Sequence, residues 1–234
     1  MNAKKIFHQR KVSILKEISQ STPDKSSKGF VDEPVKFIID LINQNERYVT
    51  TSSCSGRIAI YKESLKHTKG GNWLFVSHSK VHHSEFTSDK VLRLVFGEDC
   101  NNIVEDNDKE DESFEANNQK YILHVECINL ESAIAFMNIC INSGYKETFI
   151  KPGKRIILQL KATLKIDTPI AKVLSKGFEE GEESLKLLVS KNYLRTLISL
   201  SNLKFEENER RRKVLESAIE EFYNLESIKE HYAA

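Results

Sequence analysis

The spacing of apolar residues changes after Asn45, and this change limits the folds that the chain can adopt. Upstream, one apolar face predicts a helix that Asp32 caps and that has Pro34 in its first turn. That face consists of Val35, Ile38, Ile39 and Ile42. Downstream, short strands are predicted from Tyr48 to Thr51, Arg57 to Tyr61 and Trp73 to His78. Such a mixture of amphipathic helix and short strands favours an α+β fold.

The second half of the chain repeats the mixture. A strand from Tyr121 to Cys127 precedes a helix that Asn129 caps and Gly144 ends. The apolar stripe of this helix contains Leu130, Ile134, Met137 and Ile141. Two further segments, Ile156 to Ala162 and Leu164 to Ile170, are predicted to pair as strands.

Both ends of the chain have helical spacing. The first helix is predicted from Ala3 to Ser19, and helix resumes at about Lys191, with a solvated basic turn from Arg210 to Lys213 between two stretches. The inward stripe of the first helix contains Phe7, Ile14, Leu15 and Ile18. The predicted fold class is therefore α+β: a mixed, largely antiparallel sheet with packed helices and long C-terminal helices.

Charge is distributed unevenly along the sequence. The net charge is +1, but the segment from Glu98 to Gln119 carries nine acids and the single base Lys109. The other residues carry 34 bases and 25 acids, which suits a surface that contacts phosphate, although an ordinary solvated surface has the same composition. We predict one domain spanning residues 1–234, with residues 98–119 as a mobile acidic insertion that a short Gly-Ser linker can replace without loss of activity.

The location of the protein is predicted from what the sequence lacks. No apolar run approaches the roughly 20 residues of a membrane-spanning helix, and the N-terminus has no apolar stretch typical of a secretory signal. The four cysteines form no C-x-x-C pair and no metal-binding spacing with the histidines. These features favour a reducing compartment, and we expect a cytoplasmic protein without a bound metal.

The segment from Thr50 to Arg57 is the first chemical candidate. It brings hydroxyls, a thiol, a glycine and a guanidinium into one predicted turn between strands. Exposed N–H groups beside a planar cation suit a carboxylate or a phosphate, and Gly56 permits close approach of the ligand. A plain Ser/Gly connection between strands explains the pattern equally well. Cys54 as a nucleophile is a weaker interpretation than Cys54 as a bystander.

The second candidate is the segment from Lys69 to His78. His78 is predicted to point to the same side as Leu74 and Val76, whereas Trp73 points to the other side with Phe75 and Ser77. A histidine at a strand end can accept a proton near neutral pH, and a tryptophan can stack on a planar base. A packed histidine and a core tryptophan are the structural alternatives.

Together these motifs resemble the wybutosine-synthesising protein three family. Thr50 to Arg57 resembles that family's S-x-S-S-C-x-G-R signature, and Trp73 to His78 is similar to its second motif. Weaker similarities follow in order along the chain. They are Asp24 to Asp32, Ile122 to Cys127, Gly144-Tyr145, Leu164 to Ile170 and Val189 to Glu207. The chain departs from the family where Thr50 replaces a serine and where Thr148-Phe149 replaces a Ser-Gly pair, which puts any substrate contact at that pair in question.

The resemblance implies a specific reaction. Members of the family transfer a methyl group from S-adenosylmethionine to N-4 of a 7-(aminocarboxypropyl)-demethylwyosine base, 3′ of the anticodon in phenylalanine tRNA. Their fold is not the Rossmann fold of most methyltransferases, and no strand here is followed by a G-x-G-x-x-G turn. The expected partners are phenylalanine tRNA, S-adenosylmethionine and other enzymes of wybutosine synthesis.

Motif chemistry and resemblance together give the predicted site. The predicted catalytic residues are His78, Ser53 and Asp32. The predicted donor-binding residues are Thr50, Ser52, Cys54, Ser55, Gly56 and Arg57. The predicted tRNA-binding residues are Lys28, Trp73, Lys146 and Lys161. Two other functions fit the same sequence: a tRNA-binding module without catalysis, and a scaffold subunit that holds pathway enzymes with its C-terminal helices.

Overall fold

The computed structural model forms two compact units, each assembled from separate stretches of the chain. It describes residues 3–19, 31–62, 72–81, 113–119, 121–151, 153–174 and 184–233. The first unit comprises Met1–Ser55, Lys120–Thr163 and Glu207–Ala234, and the second comprises Gly56–Gln119 and Leu164–Glu206. Because their segments alternate along the chain, no single cut separates the units, and the single domain remains a prediction.

The first unit contains a four-stranded sheet in the order β1-β5-β7-β6. Its strands are β1 (Tyr48–Cys54), β5 (Ile122–Cys127), β6 (Glu147–Lys151) and β7 (Ile156–Lys161), and every pair is antiparallel. Its helices are α1 (Ala3–Ser19), a 3-10 turn (Glu33–Val35), α2 (Lys36–Gln44), α3 (Leu130–Asn142) and the end of α4 (Lys191–Ala233).

The core of the first unit lies on one face of this sheet. The face presents Tyr48, Leu123, Val125, Leu158 and Leu160. Against them pack α2, α3 and the stretch of α4 from Leu215 to Tyr223, through residues that include Ile38, Ile42, Phe136, Leu215 and Ile219. The predicted inward face is confirmed. Its four residues are all buried: Val35 in the 3-10 turn and Ile38, Ile39 and Ile42 in α2.

The second unit contains a five-stranded antiparallel sheet in the order β3-β2-β4-β8-β9. Its strands are β2 (Arg57–Lys62), β3 (Asn72–Ser77), β4 (Ser113–Gln119), β8 (Ile166–Leu174) and β9 (Ser184–Leu187). The first turns of α4 cover one part of it, where Leu194, Leu197 and Ile198 pack with Ile60 and Ile170. The predicted α+β class is thus confirmed, with two antiparallel sheets in place of one.

The predicted acidic insertion is wrong at its C-terminal end. Ser113–Gln119 forms β4, the middle strand of the five-stranded sheet, which pairs with β2 on one side and β8 on the other. A Gly-Ser linker in place of the whole segment would remove this strand. Residues 98–112 lie outside the described residues, and the proposal that the insertion is dispensable now applies to them alone.

Two further sequence predictions are corrected. The predicted pair of strands from Ile156 and Leu164 is wrong, because β7 and β8 belong to different sheets. The apolar stripe assigned to α3 is its outer face: Leu130 is 55% exposed, while Ala133, Phe136 and Cys140 are buried. Both faces of α3 are apolar, and the face with the small Ala133 packs inward.

The predicted basic turn is continuous helix. No glycine or proline occurs between Lys191 and Ala233, and α4 runs through Arg210 and Arg211 without a break. Glu207 accepts hydrogen bonds from both arginines one turn further on, at 2.7–2.8 Å. Such i,i+3 and i,i+4 pairs stabilise an exposed helix. Among the described helices, none is long and apolar enough to cross a membrane.

Candidate functional site

The hydroxyl-rich motif is a strand that leads into a two-residue connection. β1 continues through Cys54, and only Ser55 and Gly56 separate it from β2. The two strands belong to different sheets, and the division between the units falls between Ser55 and Gly56. Gly56 has a φ of 92°, a conformation that L side chains rarely adopt. The predicted connection from Ser52 to Gly56 is thus too long, because Ser52 to Cys54 continue β1.

The hydroxyl groups of β1 do not converge on one face. Thr50 lies opposite Val125, and the register then shifts at a bulge, so that Ser52 lies opposite His124 and Ser53 opposite Leu123. Residues directly opposite one another in a ladder share a face. Thr50 and Ser53 are therefore on the face that carries the apolar core, whereas Ser52 is on the opposite face.

Thr50 belongs to the interior of the first unit. It is 4% exposed, and its backbone N–H donates to Oδ1 of Asn43 at 2.8 Å. Among the described residues, no group accepts from or donates to its hydroxyl. Ser52 is exposed, and Ser53 and Cys54 are half-buried. Of the predicted donor-binding residues on β1, Ser52 is the most open to a ligand.

Asp32 holds the end of the motif in place. Its Oδ2 accepts from the backbone N–H of Ser55 at 3.0 Å and from the Ser55 hydroxyl at 2.9 Å. The predicted side-chain cap is wrong, because Asp32 precedes the 3-10 turn but makes no capping hydrogen bond there. Its carboxylate is half-buried and fixed beside Ser55, where it can accept a proton or orient a cationic group of a ligand.

Replacing Asp32 by asparagine tests whether the carboxylate does more than hold Ser55. Ser55→Ala is the matched control, since it removes one of the two hydrogen bonds and keeps the charge. We expect both variants to lose about 1–2 kcal/mol of unfolding free energy in urea melts, as for charge-assisted hydrogen bonds. If the carboxylate also acts on a ligand, activity should fall further in Asp32→Asn than in Ser55→Ala. Equal losses of activity in the two variants would show that Asp32 only positions the turn.

In the second unit, Arg57 lies over an aromatic pair. Its guanidinium carbon is 4.6 Å from the centroid of the Trp73 ring, and the Trp73 and Tyr61 rings are 4.7 Å apart. Trp73 is 43% exposed, so it is not a core tryptophan. A guanidinium that lies over an aromatic ring directs its N–H donors outward in its own plane. This geometry suits a carboxylate or a phosphate.

The predicted orientation of Trp73 is corrected by a second bulge. Tyr61 pairs with Trp73 and Ala59 with Val76, and the register shifts at Leu74 between them. Because Ala59 and Tyr61 share a face of β2, Trp73 shares a face with Val76 and not with Phe75. The extra residue reverses the alternation that the sequence predicted.

His78 follows β3 in a bend, and the residues before and after it in the chain make hydrogen bonds. The Ser77 hydroxyl donates to the Ser79 carbonyl at 2.8 Å, and Asn202 on α4 makes two hydrogen bonds to the Val81 backbone, at 2.7 and 2.9 Å. Lys80 forms an ion pair with Glu206 on the same helix at 2.9 Å. His78 is half-buried at the end of its strand, a position suited to proton transfer.

The predicted lysines occupy different environments. Lys146 is exposed immediately before β6, and the Lys161 ammonium lies 5.5 Å from the centroid of the Phe149 ring. Lys28 lies outside the described residues.

The structure also contains a buried charged residue that the sequence analysis did not predict. Lys11 is buried in α1, where it donates to the carbonyls of Asn45 and Tyr48 at 2.6 and 2.8 Å, and burial lowers its pKa.

Solved structures show the class of fold. The chain superimposes on the PH1069 protein from Pyrococcus horikoshii with a TM-score of 0.69 and 25% sequence identity, over 93% of this chain and 95% of that one. The shared architecture is α+β with antiparallel sheets and lacks a Rossmann sheet.

Sequence comparison then gives the family. The family described as Methyltransferase TYW3 matches residues 9–221, and the chain belongs to it. The tRNA wybutosine-synthesizing protein 3 of Saccharomyces cerevisiae is 32% identical over 233 residues, which cover 94% of this chain and 83% of that protein. The tRNA wybutosine-synthesizing protein 2/3/4 of Arabidopsis thaliana is 32% identical over 216 residues, 88% of this chain, but only 20% of its own length is matched. The resemblance stated from the motifs is confirmed.

Proposed function

We propose that the chain methylates N-4 of a 7-(aminocarboxypropyl)-demethylwyosine base in phenylalanine tRNA, with S-adenosylmethionine as the methyl donor. Membership of the Methyltransferase TYW3 family over residues 9–221 carries the proposal. The name of the yeast relative supports a role in wybutosine synthesis. We include location in the cytoplasm in the same proposal. The name of the Arabidopsis relative, protein 2/3/4, supports association with other enzymes of wybutosine synthesis.

The residues present suit the chemistry of such a transfer. S-adenosylmethionine supplies a methyl group on a positively charged sulfur, which a ring nitrogen attacks in line. The protein then has to align the two reactants, exclude water and accept one proton. In the first unit, Asp32 presents a fixed carboxylate that suits the cationic or hydroxyl groups of a donor. In the second, Arg57 and Trp73 suit an anionic group and a planar base, and His78 is the proposed proton acceptor.

Cells that lack the protein provide the test in vivo. Mass spectrometry of nucleosides from phenylalanine tRNA should then show a wybutosine precursor that is one methyl group short. Expression of the intact chain in those cells should restore the mature nucleoside. Mature wybutosine in the deletion strain would overturn the assignment.

Donor binding separates catalysis from the two non-catalytic functions. Isothermal titration of the purified chain with S-adenosylmethionine, without RNA, should give saturable binding. A tRNA-binding module or a scaffold subunit would show none. Transfer of a labelled methyl group to phenylalanine tRNA from the deletion strain, which carries the precursor base, completes the test.

A further inference from the structure

The four-stranded sheet has a second face, on the side away from its apolar core. Residues opposite one another in the ladder identify it: Ser52, His124, Gln159 and Phe149 form one cross-strand row. The neighbouring rows place Lys161 beside Glu147 and Lys151 beside Ile157 on the same side. We call this side the outer face. Its residues alternate with the buried residues of the core, as strand geometry requires.

Phe149 is the exposed aromatic residue of this face. It is 44% exposed on β6, and the Lys161 ammonium lies over its ring at 5.5 Å. Its neighbour Thr148 points inward and donates its hydroxyl to the Tyr145 carbonyl at 2.6 Å. The Thr148-Phe149 pair, which departs from the family's Ser-Gly, therefore divides between the two faces: the threonine stabilises the strand, and the phenylalanine is presented outward.

The charge around Phe149 is predominantly positive. Burial lowers the pKa of His124, and the half-buried Lys161 and the exposed Lys151 lower it further. Glu126 on this side is already paired with Arg10, so its charge is largely compensated. Among the described residues of this face, Glu147 is the other acid, and it lies opposite Lys161. A polyanion therefore meets a favourable potential here.

The composition of the face favours RNA over a protein partner. A protein interface of useful size has a contiguous apolar centre. On this face Val49 is buried and Ile122 and Ile157 are half-buried, so that Phe149 is the large apolar side chain that it exposes, beside hydroxyl, amide, imidazole and ammonium groups. Single-stranded RNA needs this combination, because a base stacks on an aromatic ring while lysines contact the flanking phosphates.

We infer that the outer face of this sheet binds unpaired nucleotides of the tRNA substrate, with Phe149 stacking on a base and Lys151 and Lys161 contacting phosphates. The inference rests on the proposed function only in taking tRNA as the substrate. It adds Phe149 and Lys151 to the predicted RNA-contacting residues and keeps Lys161 among them.

Fluorescence anisotropy with labelled phenylalanine tRNA transcript tests the stacking contact. Phe149→Ala should weaken binding roughly 5- to 100-fold, as for loss of one stacked base, and Phe149→Trp should restore it. Phe37→Ala is the matched control, since Phe37 is 55% exposed on α2, a helix that packs on the core face of the same sheet. Its affinity should equal that of the wild type. Equal affinities of Phe149→Ala and Phe37→Ala would overturn the inference.

The salt dependence of binding tests the phosphate contacts. Lys151→Ala and Lys161→Ala should each reduce the slope of log Kd against log salt by about 1, whereas the exposed Lys36→Ala on α2 should leave it unchanged. An unchanged slope in both sheet variants would contradict these contacts. If instead Phe149→Ala changed the sedimentation of the free protein, the face would be an interface between copies, and the inference would be wrong.

Failure of this inference can be distinguished from failure of the proposed function. Phe149→Ala should raise the KM for tRNA in methyl transfer, whereas the control Phe37→Ala should keep the wild-type KM. If the wild type transfers methyl groups but the variant's KM is unaltered, only the inference fails. If the wild type transfers none, the proposed function fails. Ultraviolet crosslinking of 4-thiouridine tRNA then tests the outer face independently, with a crosslinked peptide containing Phe149 as the expected result and its absence as the overturning one.

Discussion

His78→Asn is expected to reduce single-turnover methyl transfer by about 10²–10⁴-fold, the usual contribution of a general base. Asparagine cannot accept a proton, but it is similar in size to histidine, and its amide can still form hydrogen bonds at this half-buried position. The bend that carries His78 is held by Asn202 and by the Lys80–Glu206 ion pair, so the backbone should stay in place. Thermal unfolding should therefore shift by no more than a few degrees, and tRNA affinity should change little.

The controls distinguish chemistry from packing. The exposed His8→Asn in α1 should leave both rate and melting temperature unchanged. Arg57→Lys should show the opposite pattern to His78→Asn. Lysine keeps the charge but loses the contact of the planar guanidinium with Trp73, so ligand binding should weaken more than turnover. If His78→Asn stays folded and transfers methyl at the wild-type rate, His78 is not the base, and Asp32 becomes the first alternative.

The sequence predicted elements well where local spacing and capping decide the structure. The limits of α1 are those expected, and Asn129 caps α3 by accepting from the Ser132 N–H at 2.8 Å. Prediction failed where tertiary context decides. β4 has the polar sequence Ser-Phe-Glu-Ala-Asn-Asn-Gln beside an acidic run, yet it is a middle strand, because two neighbours satisfy its backbone. The strand propensity of the residues in β4 does not reveal those neighbours.

The candidate site was predicted as a list of residues but not as an arrangement. Asp32 was predicted as a catalytic residue and Ser55 as a donor-binding residue, and the hydrogen bonds between them were not predicted. The bulges in β1 and β3 could not be predicted, and each changes which residues share a face. The extra residue in β1 places Ser52 on the opposite face from Thr50, and the extra residue in β3 turns Trp73 away from Phe75.

The sequence also gave no sign of the ion pair between Arg10 on α1 and Glu126 on β5. The two residues are 116 positions apart, and both look like ordinary surface charges. The Glu126 side chain is only 4% exposed, between Val49 and Ile157 of the neighbouring strands, while that of Arg10 is 30% exposed. Burial raises the pKa of Glu126, and the Arg10 guanidinium acts in the opposite direction.

Arg10→Met should therefore destabilise the protein strongly at neutral pH. It leaves a buried carboxylate without its partner, at a cost of about 3–5 kcal/mol of unfolding free energy. Glu126→Gln should cost less, because the partly exposed Arg10 remains hydrated. The double variant Arg10→Met, Glu126→Gln should recover much of the loss, since no uncompensated charge remains. Lys36→Met, which breaks an exposed pair with Glu33, is the control and should change the melting temperature little.

The pH dependence of these variants identifies the cause of the loss. A carboxyl group whose folded-state pKa is raised contributes stability below its unfolded pKa and loses that contribution as the pH rises through the folded value. Without Arg10 the folded pKa of Glu126 rises further, because the largest opposing charge is gone. The stability deficit of Arg10→Met should thus shrink as the pH falls from 7 toward the ordinary carboxyl value of 4.5, and the double variant should show no such trend. Urea melts at several pH values measure both. A deficit that stays constant with pH would mean that Arg10 stabilises through the packing of its stem, and not through its charge on Glu126.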